Sequence, residues 1–214
     1  MHRSGMRRAS RRQLLQFGAA LALPVAALAA SGLGLDHWRG LLASAARAQE
    51  LPPTPPCGGD EPTPPQTEGP YFKPASPERA SLLEPDLPGT RLLVTGTVLT
   101  RSCQPVAGAL LDFWQADAAG RYDLQGYRLR GHQYTDAAGR YTLETIVPGL
   151  YTGRTRHIHV RVQAPGGPAL TTQLYFPDEP RNRTDPLFRP ALLLALEPSD
   201  GEPLRARFDF VLAA

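Results

Sequence analysis

Two histidines on one predicted strand are the clearest candidates for chemistry in this sequence. Residues 157–163 read HIHVRVQ, in which polar and apolar side chains alternate. Alternation with a period of two is typical of a half-buried β-strand, so His157 and His159 are predicted to share one face. Two adjacent imidazoles can bind Zn, Cu, Ni or Fe, because a neutral ring nitrogen suits all four metals. Two histidines that simply face solvent would give the same pattern, so the motif alone is not specific.

Tyrosines are candidate oxygen donors for the same site. Past residue 48 the only further histidine is His132, which we expect in a loop at the rim of the site and not on a metal. Tyr151 lies six residues before His157, and Tyr122 follows a Gly-Arg turn. A phenol has a pKa of about 10, so it binds as phenolate only to a strong Lewis acid, for which Fe(III) is the natural choice. Each tyrosine taken singly could equally be core material of a strand.

Short β-type segments separated by turns predict the scaffold for these side chains. Turn residues recur, as in Asp-Ala-Ala-Gly at 117–120 and 136–139, and no long helical period separates the segments. The pattern predicts an all-β fold, an antiparallel β-sandwich of about seven or more strands. The predicted strands are 91–100, 107–115, 141–146, 157–163, 170–176, 191–196 and 205–212.

The part of the chain before this sandwich has a different composition. Nine prolines between residues 51 and 74 exclude a regular helix or a central strand there. We therefore predict an extended Pro-rich N-terminal arm over 49–74 and the β-sandwich domain over 75–214.

The basic character of the chain belongs to its N-terminus. The formal net charge is +3, yet residues 1–48 contain seven arginines and one aspartate, which leaves the remainder mildly acidic. A mildly acidic body has no electrostatic reason to bind nucleic acid. SRRQLL at 10–15, the apolar run 17–35 and Ala-Arg-Ala at 46–48 predict a twin-arginine signal peptide over 1–48. The chain is then periplasmic or extracellular, without stable membrane insertion after cleavage, unless the signal is retained as an anchor.

The chain contains two cysteines, Cys57 and Cys103. In an oxidising compartment an even pair indicates one disulfide, here joining the arm to a loop of the domain. Two unpaired thiols are the alternative.

A series of motifs in one order resembles the intradiol ring-cleavage dioxygenases, both protocatechuate and catechol types. The similarity covers about residues 66–180, and many elements in one order are far more specific than any single one. The motifs are EGPYF at 68–72, WQAD at 114–117, GRY at 120–122, PGLY at 148–151, GRTRHIH at 153–159 and TQLYF at 172–176.

The resemblance implies a cofactor and a reaction. It makes Tyr122, Tyr151, His157 and His159 the protein ligands of a non-haem Fe(III), with Tyr151 leaving the metal when a catechol binds. The implied partners are a catechol-type substrate and O2. The bond between the two hydroxylated ring carbons would be cleaved and both atoms of O2 incorporated, giving a cis,cis-muconate-type diacid.

The resemblance also implies roles for three neighbouring side chains. Arg154 matches the arginine beside the bound ring, where its charge would stabilise electron density on the substrate. Gln173 matches a glutamine near that arginine, and Tyr71 matches a tyrosine that approaches the substrate.

The sequence leaves two other interpretations of the same residues open. A secreted β-sandwich binding module for carbohydrate or an aromatic polymer would share the strand pattern without catalysis. A zinc hydrolase could use His157 and His159, although no third ligand in a zinc pattern is evident. The motifs do not identify the particular catechol or the oligomeric state, and they are compatible with a homo-oligomer. Arg130, Tyr127 and the segment 178–186 are expected at the rim of the pocket.

Overall fold

The computed structural model describes residues 61–198, 201 and 203–213. The signal peptide predicted over 1–48 and Cys57 lie outside these residues, so export and the Cys57–Cys103 disulfide stay predictions. Within the described part of the chain, no helix is both long and apolar enough to cross a membrane.

The described residues form an all-β fold of two packed sheets, which confirms the predicted class. Besides the strands there are two short 3-10 helices, Pro180–Arg183 and Pro190–Leu192. The strands are β1 (Arg91–Thr100), β2 (Leu110–Trp114), β3 (Arg130–Tyr134), β4 (Arg140–Ile146), β5 (His157–Gln163), β6 (Ala169–Tyr175), β7 (Ala195–Glu197), β8 (Leu204–Arg207) and β9 (Phe210–Leu212).

The first sheet is organised around the long strand β1. Its strand order is β4-β1-β8-β7, and β9 also pairs with β1. The segment 205–212, predicted as one strand, is split at Phe208 and Asp209. There the Asp209 carboxylate replaces a backbone carbonyl and accepts the Thr97 N–H at 2.7 Å. Strands β8 and β9 therefore follow one another along β1, and both run parallel to it, whereas the remaining pairings of the sheet are antiparallel.

The second sheet carries the predicted site and has the order β3-β2-β5-β6, antiparallel throughout. Ile158, Val160 and Val162 of β5 are fully buried and face the first sheet, as their alternation predicts. The opposite face of β5 is buried as well, with His157 4% and His159 3% exposed. Both faces of this strand are thus covered. Packing of the two sheets alone would cover only the inner face.

The arm supplies part of that second cover. The described arm residues are extended, as predicted, and pair by backbone hydrogen bonds with strand edges, Thr63 with Val211 and Gln66 with Thr171. The hydroxyl of Thr172 also donates to the carbonyl of Pro64 at 2.7 Å. Further along the arm, the Gln173 Nε2 donates to the Thr67 carbonyl at 2.9 Å. Gln173 shares the outer face of the second sheet with its cross-strand partner His159, so the arm reaches that face at residue 67.

One strand is absent from the sequence-based prediction. The segment Arg130–Tyr134 lacks apolar alternation, yet it forms β3 at the edge of the second sheet by pairing with β2. His132 consequently lies on a strand opposite Asp112, not in a loop. Its Nδ1 lies 2.7 Å from the carbonyl oxygen of Ser76.

We expect Gly96→Ala to destabilise the fold strongly. A Cβ at Gly96 would lie 1.7 Å from the Phe208 carbonyl oxygen, so β1 and the β8–β9 junction would have to separate. Overpacking of this kind costs about 3 kcal/mol of the free energy of unfolding, measurable by urea denaturation. Gly167→Ala is the matched control, since its Cβ meets nothing closer than 3.4 Å. Equal stability of the two variants would contradict the packing described at Gly96.

Candidate metal centre and active site

The outer face of the second sheet brings the predicted site residues together through strand register. His159 lies between its cross-strand partners Trp114 on β2 and Gln173 on β6, and His157 is paired with Tyr175 on β6. The indole ring of Trp114 stacks on the imidazole of His159, with centroids 4.9 Å apart and planes at 8°. Flat stacking fixes the plane of the imidazole, so His159 has little freedom to turn.

Three donor atoms converge at this face. The Nε2 atoms of His157 and His159 are 3.2 Å apart, and the Tyr122 hydroxyl lies 3.3 Å from the His157 Nε2. The Nδ1–H of His157 donates to the Thr155 carbonyl at 2.6 Å. This hydrogen bond leaves the Nε2 lone pair of His157 free to bind a metal, which is how ligating histidines are commonly oriented.

The spacing and chemistry of these donors fit a metal ion. Ligands about 2.1 Å from one ion lie about 3.0–3.4 Å from their neighbours at octahedral or tetrahedral angles, and the observed separations fall in that range. In the described part of the chain no group of three or more His, Cys, Asp or Glu could hold a metal. The protein donors available beside the two imidazoles are therefore phenols, which favour a hard, highly charged cation over zinc.

Burial keeps these donors uncharged until a cation arrives. It lowers the pKa of His157 to about 4, and it lowers that of His159 well below its ordinary value, with the neighbouring His157 adding to the effect. Both imidazoles are thus neutral at pH 7, as metal ligands must be. Burial also raises the pKa of Tyr122 above its usual value, although the nearby charges of Arg154 and Arg130 oppose this. Ionisation of Tyr122 then requires a strong Lewis acid.

Tyr151 and Tyr71 complete an aromatic cluster beside the donors. Their hydroxyls are hydrogen bonded at 2.8 Å. The ring of Tyr71 stacks on Tyr122 with centroids 4.5 Å apart, and the ring of Tyr151 meets Tyr122 edge-on at 5.8 Å. The structure therefore places Tyr122 at the two histidines, and Tyr151 one ring away with its hydroxyl directed to Tyr71.

The two tyrosine-bearing loops are held against each other by backbone contacts. The carbonyl of Asp117 accepts the N–H groups of Gly120 and Gly149, at 3.0 and 2.8 Å. A Cβ at Gly120 would lie 2.2 Å from the Leu150 carbonyl oxygen, so only glycine allows this approach. The turn glycines predicted from sequence thus also set the separation of Tyr122 and Tyr151.

Arg154 and Gln173 lie in one hydrogen-bonded group. The Arg154 Nη2 donates to the Gln173 Oε1 at 2.7 Å, and the Gln173 Nε2 donates to the Thr67 carbonyl of the arm at 2.9 Å. The Arg154 Nε donates to the Asp185 Oδ2 at 2.8 Å. Asp185 belongs to the segment expected at the rim, but it is buried, and sequence pattern contains no signal for that.

Arg130 is also buried, 2% exposed, and the expectation that it lies at the rim is wrong. Its Nη1 donates to the Tyr71 carbonyl at 2.7 Å, and its Nη2 donates to the Asp123 carbonyl at 3.0 Å. Because β3 was not predicted, its first residue could not be placed inside the fold. The guanidinium joins the arm at Tyr71 to the loop that carries Tyr122.

Gly69 is a site residue whose role the sequence motif did not reveal. Its φ is +70°, a left-handed conformation that favours glycine. A Cβ there would lie 3.3 Å from Cε1 and 3.8 Å from Nε2 of His159. The arm therefore passes so close to His159 that a methyl group at Gly69 would be in tight contact with the edge of the imidazole that carries Nε2.

Comparisons with known proteins agree with this geometry. The family model described as Dioxygenase matches residues 67–156. The beta chain of protocatechuate 3,4-dioxygenase from Burkholderia cepacia is 40% identical over 119 residues, 47% of this chain and 51% of the relative. Catechol 1,2-dioxygenase 2 from Acinetobacter lwoffii is 31% identical over 179 residues, 72% of this chain and 62% of the relative. The matches thus span about half to three fifths of the length of these curated relatives.

Solved structures are matched over a larger share of their own length. The dioxygenase domain of a dioxygenase carbohydrate-binding protein fusion from the cellulolytic bacterium Streptomyces sp. SirexAA-E is 62% identical. It superposes with a TM-score of 0.69 over 71% of this chain and 98% of that domain. The 3-chlorocatechol 1,2-dioxygenase of Rhodococcus opacus 1CP is 30% identical, with a TM-score of 0.66 over 83% of this chain and 77% of that structure.

We expect Gly69→Ala to weaken metal binding at His159. The left-handed backbone costs an alanine about 1–2 kcal/mol, and its Cβ would press on the His159 ring. Gly166→Ala is the matched control, because Gly166 has a similar φ of +69° but open space around its Cβ position. Both variants should lose thermal stability, whereas only Gly69→Ala should bind Fe(III) more weakly in a competition titration. Equal affinities would contradict the close approach at His159.

Proposed function

Because the chain belongs to the intradiol ring-cleavage dioxygenase family, we propose that it cleaves a catechol-type ring between its two hydroxylated carbons, with non-haem Fe(III) and O2. The product would be a cis,cis-muconate-type diacid, in which both oxygen atoms of O2 are incorporated. The observation that carries this proposal is the convergence at the His157 Nε2 of the His159 Nε2, 3.2 Å away, and the Tyr122 hydroxyl, 3.3 Å away. No carboxylate takes part in that described donor set, and this is the chemistry of a tyrosinate iron site.

The names of the relatives support the substrate class. The curated relatives are named for catechol, protocatechuate, hydroxyquinol and chlorocatechol, which are all aromatic 1,2-diols. A 1,2-diol presents two adjacent oxygens, so it can occupy two neighbouring positions on one metal ion. We therefore propose an aromatic 1,2-diol as the substrate.

Four side chains would hold the ion, namely Tyr122, Tyr151, His157 and His159. Fe(III) in this position would supply Lewis-acid and redox chemistry that makes the bound diol reactive toward O2. The two histidines are the rigid part of the set, since they lie on one strand and the carbonyl of Thr155 fixes the tautomer of His157. Tyr122 is fixed as well, under the stacked ring of Tyr71.

Tyr151 is the group best placed to take a proton from the substrate. Its hydroxyl is already 2.8 Å from the Tyr71 hydroxyl, so a Tyr151 side chain turned away from the donors has a hydrogen-bonding partner. As a phenolate, Tyr151 would accept the proton of one substrate hydroxyl at its own Oη. Once Tyr151 had turned away from the other donors, the space it had filled would be open to the second substrate oxygen.

Arg154 would act on the charge of the substrate. Its Nε and Nη2 are occupied by Asp185 and Gln173, and no described residue accepts a hydrogen bond from its Nη1. The guanidinium is therefore held in place with one nitrogen available to a ligand. A fixed positive charge stabilises electron density that develops on an adjacent ring, which is the usual contribution of preorganised donors.

The proposal is tested by the visible absorption of the purified protein loaded with Fe(III). Phenolate coordination should give a broad visible band, and anaerobic catechol should shift the band to longer wavelength. Admission of O2 should then release a cis,cis-muconate-type product, detected by its ultraviolet absorption. A colourless protein that fails to take up Fe(III) would contradict the proposal and favour a binding module without catalysis.

Tyr122→Phe should lower both iron content and the intensity of this band, and His157→Ala should lower iron content in the same way. Turnover should fall by more than about 100-fold, beyond the 10–100-fold that loss of an outer partner of a metal ligand costs. Tyr134→Phe is the control, because Tyr134 is an exposed tyrosine on β3. Normal iron content and turnover in Tyr122→Phe would contradict the ligand assignment.

Arg154→Ala should retain iron and slow ring cleavage. Loss of one preorganised donor typically costs about 100–1000-fold in kcat, so kcat should fall in that range while the visible band persists. Arg140→Ala removes an exposed ion pair with Asp136 at the start of β4, in the first sheet, and should leave kcat unchanged. An unchanged kcat in Arg154→Ala would assign this arginine a structural role only.

A further inference from the structure

Asp185 is a buried carboxylate that receives three hydrogen bonds beside the site. Its Oδ2 accepts the Nε–H of Arg154 and the backbone N–H of Thr155, both at 2.8 Å. Its Oδ1 accepts the backbone N–H of Leu187 at 2.9 Å. The carboxylate is 1% exposed and the Arg154 side chain 16% exposed, so water competes little for either partner.

The two donors on Oδ2 belong to different functional parts of the site. Arg154 carries the charge proposed to act on the substrate. The carbonyl of Thr155 accepts the Nδ1–H of His157 at 2.6 Å and so directs the His157 Nε2 to the other donors. One oxygen atom of Asp185 therefore binds both the guanidinium of Arg154 and the N–H of Thr155, the residue whose carbonyl orients His157.

The same segment of chain braces Thr155 from a second side. The hydroxyl of Thr155 donates to the Asn182 Oδ1 at 2.7 Å, and the Asn182 Nδ2 donates to the Phe176 carbonyl at 2.8 Å. Thr155 itself is fully buried. Its peptide and side chain are thus held by two residues of 182–185, and neither contact depends on a metal.

Asp185 contributes a negative charge to the site in addition to two hydrogen-bond acceptors. Burial raises the pKa of its carboxyl, but the hydrogen bonds from Thr155, Leu187 and Arg154 outweigh that effect and leave the pKa below its usual value. Asp185 is consequently ionised at neutral pH. An asparagine at this position would carry no charge. Its side-chain NH2 group would also face an N–H donor, because both oxygens of Asp185 accept hydrogen bonds from N–H groups.

We propose that Asp185 is a positioning residue that couples the substrate side of the site to the metal side, through Arg154 and through Thr155 with His157. The inference rests on the proposed function for the part that concerns Arg154. On the substrate side, the ion pair fixes one edge of the guanidinium, while Gln173 fixes another. Without Asp185, the contact with Gln173 and a longer one of 3.4 Å to Tyr175 would remain, which is too little to set the direction of Nη1.

The test is Asp185→Asn, compared with the matched variant Asp209→Asn. Asp209 is also a buried carboxylate that accepts a backbone N–H and pairs with an arginine, Arg207, but it lies at the β8–β9 junction of the first sheet. Both variants should lower the melting temperature. Only Asp185→Asn should lower kcat, by about 10–100-fold, and raise the Kd of the metal-free protein for Fe(III) by about 10-fold, the usual cost of losing an outer partner. If Asp185→Asn lowers the melting temperature alone, the proposal is overturned.

A double-mutant cycle separates the two parts of the proposal, the effect on Arg154 and the effect on His157. In the Arg154→Ala background, Asp185→Asn should lower kcat by less than about 3-fold further, because the arginine it positions is gone. The 10-fold loss of Fe(III) affinity should persist there, since that loss runs through Thr155 and His157. Fully multiplicative losses of kcat would show that Asp185 does not act through Arg154.

Arg154→Lys provides a second route that leaves Asp185 unchanged. Lysine keeps the charge but has no Nε–H donor in the position that Asp185 binds. It should lower kcat to about the level of Asp185→Asn and leave the Kd for Fe(III) unchanged. A wild-type kcat in Arg154→Lys would overturn the proposed orientation of the guanidinium, even if Asp185→Asn does not accumulate as folded protein.

Failure of the proposed function gives a different result. In that case the wild-type protein would form no ring-cleavage product from catechol, protocatechuate or hydroxyquinol. The affinity measurement on the metal-free variants would still decide whether Asp185 positions His157 through Thr155. If wild type and Asp185→Asn then have the same Kd for Fe(III), the proposed effect of Asp185 on His157 is overturned independently.

Discussion

The hydrogen bond from the His157 Nδ1 to the Thr155 carbonyl is the contact on which the site depends. It decides which ring nitrogen of His157 bears the proton, and so which one offers a lone pair to a metal. The carbonyl can serve this purpose because Thr155 is itself immobile, held through its N–H by Asp185 and through its hydroxyl by Asn182. The orientation of the His157 imidazole is therefore fixed by hydrogen bonds among the protein's own residues.

Burial of both faces of β5 has a second consequence, an electrostatic one. Ile158, Val160 and Val162 exclude water on the inner side, and the arm with the surrounding loops excludes it on the outer side. Uncharged imidazoles and phenols are the stable forms in such surroundings, because burial disfavours charge. The trivalent cation of the proposed function would reverse this preference for the phenols, because its charge would favour their anionic form. The same low polarity strengthens the effect of the nearby Arg154 charge.

The parts of the structure that could be predicted from sequence are those with a local signal. Strands β1 and β5 have the predicted bounds because their side chains alternate regularly, and the same alternation placed His157 and His159 on one face. Strand β3 carries no such signal, since an edge strand can be formed by pairing alone, and Arg130 was misplaced with it. Asp185 lies in a segment whose polar composition resembles any surface loop. Its role arises from contacts with residues about 30 positions earlier in the chain, which composition does not encode.

In the proposed iron site, the arrangement of the tyrosines would allow one of them to leave the metal while the other stays in place. Tyr122 follows a tight turn whose backbone is tied to Gly149, and its ring lies under Tyr71, so movement would break both contacts. Tyr151 is half-buried, and its hydroxyl is already hydrogen bonded to Tyr71 outside the cluster formed by the histidines. If Tyr151 exchanged a metal contact for that hydrogen bond, its hydroxyl would keep a partner, which would remove the main cost of such a movement. The arm that contributes Tyr71 would therefore belong to the proposed catalytic site, although it lies outside the sandwich.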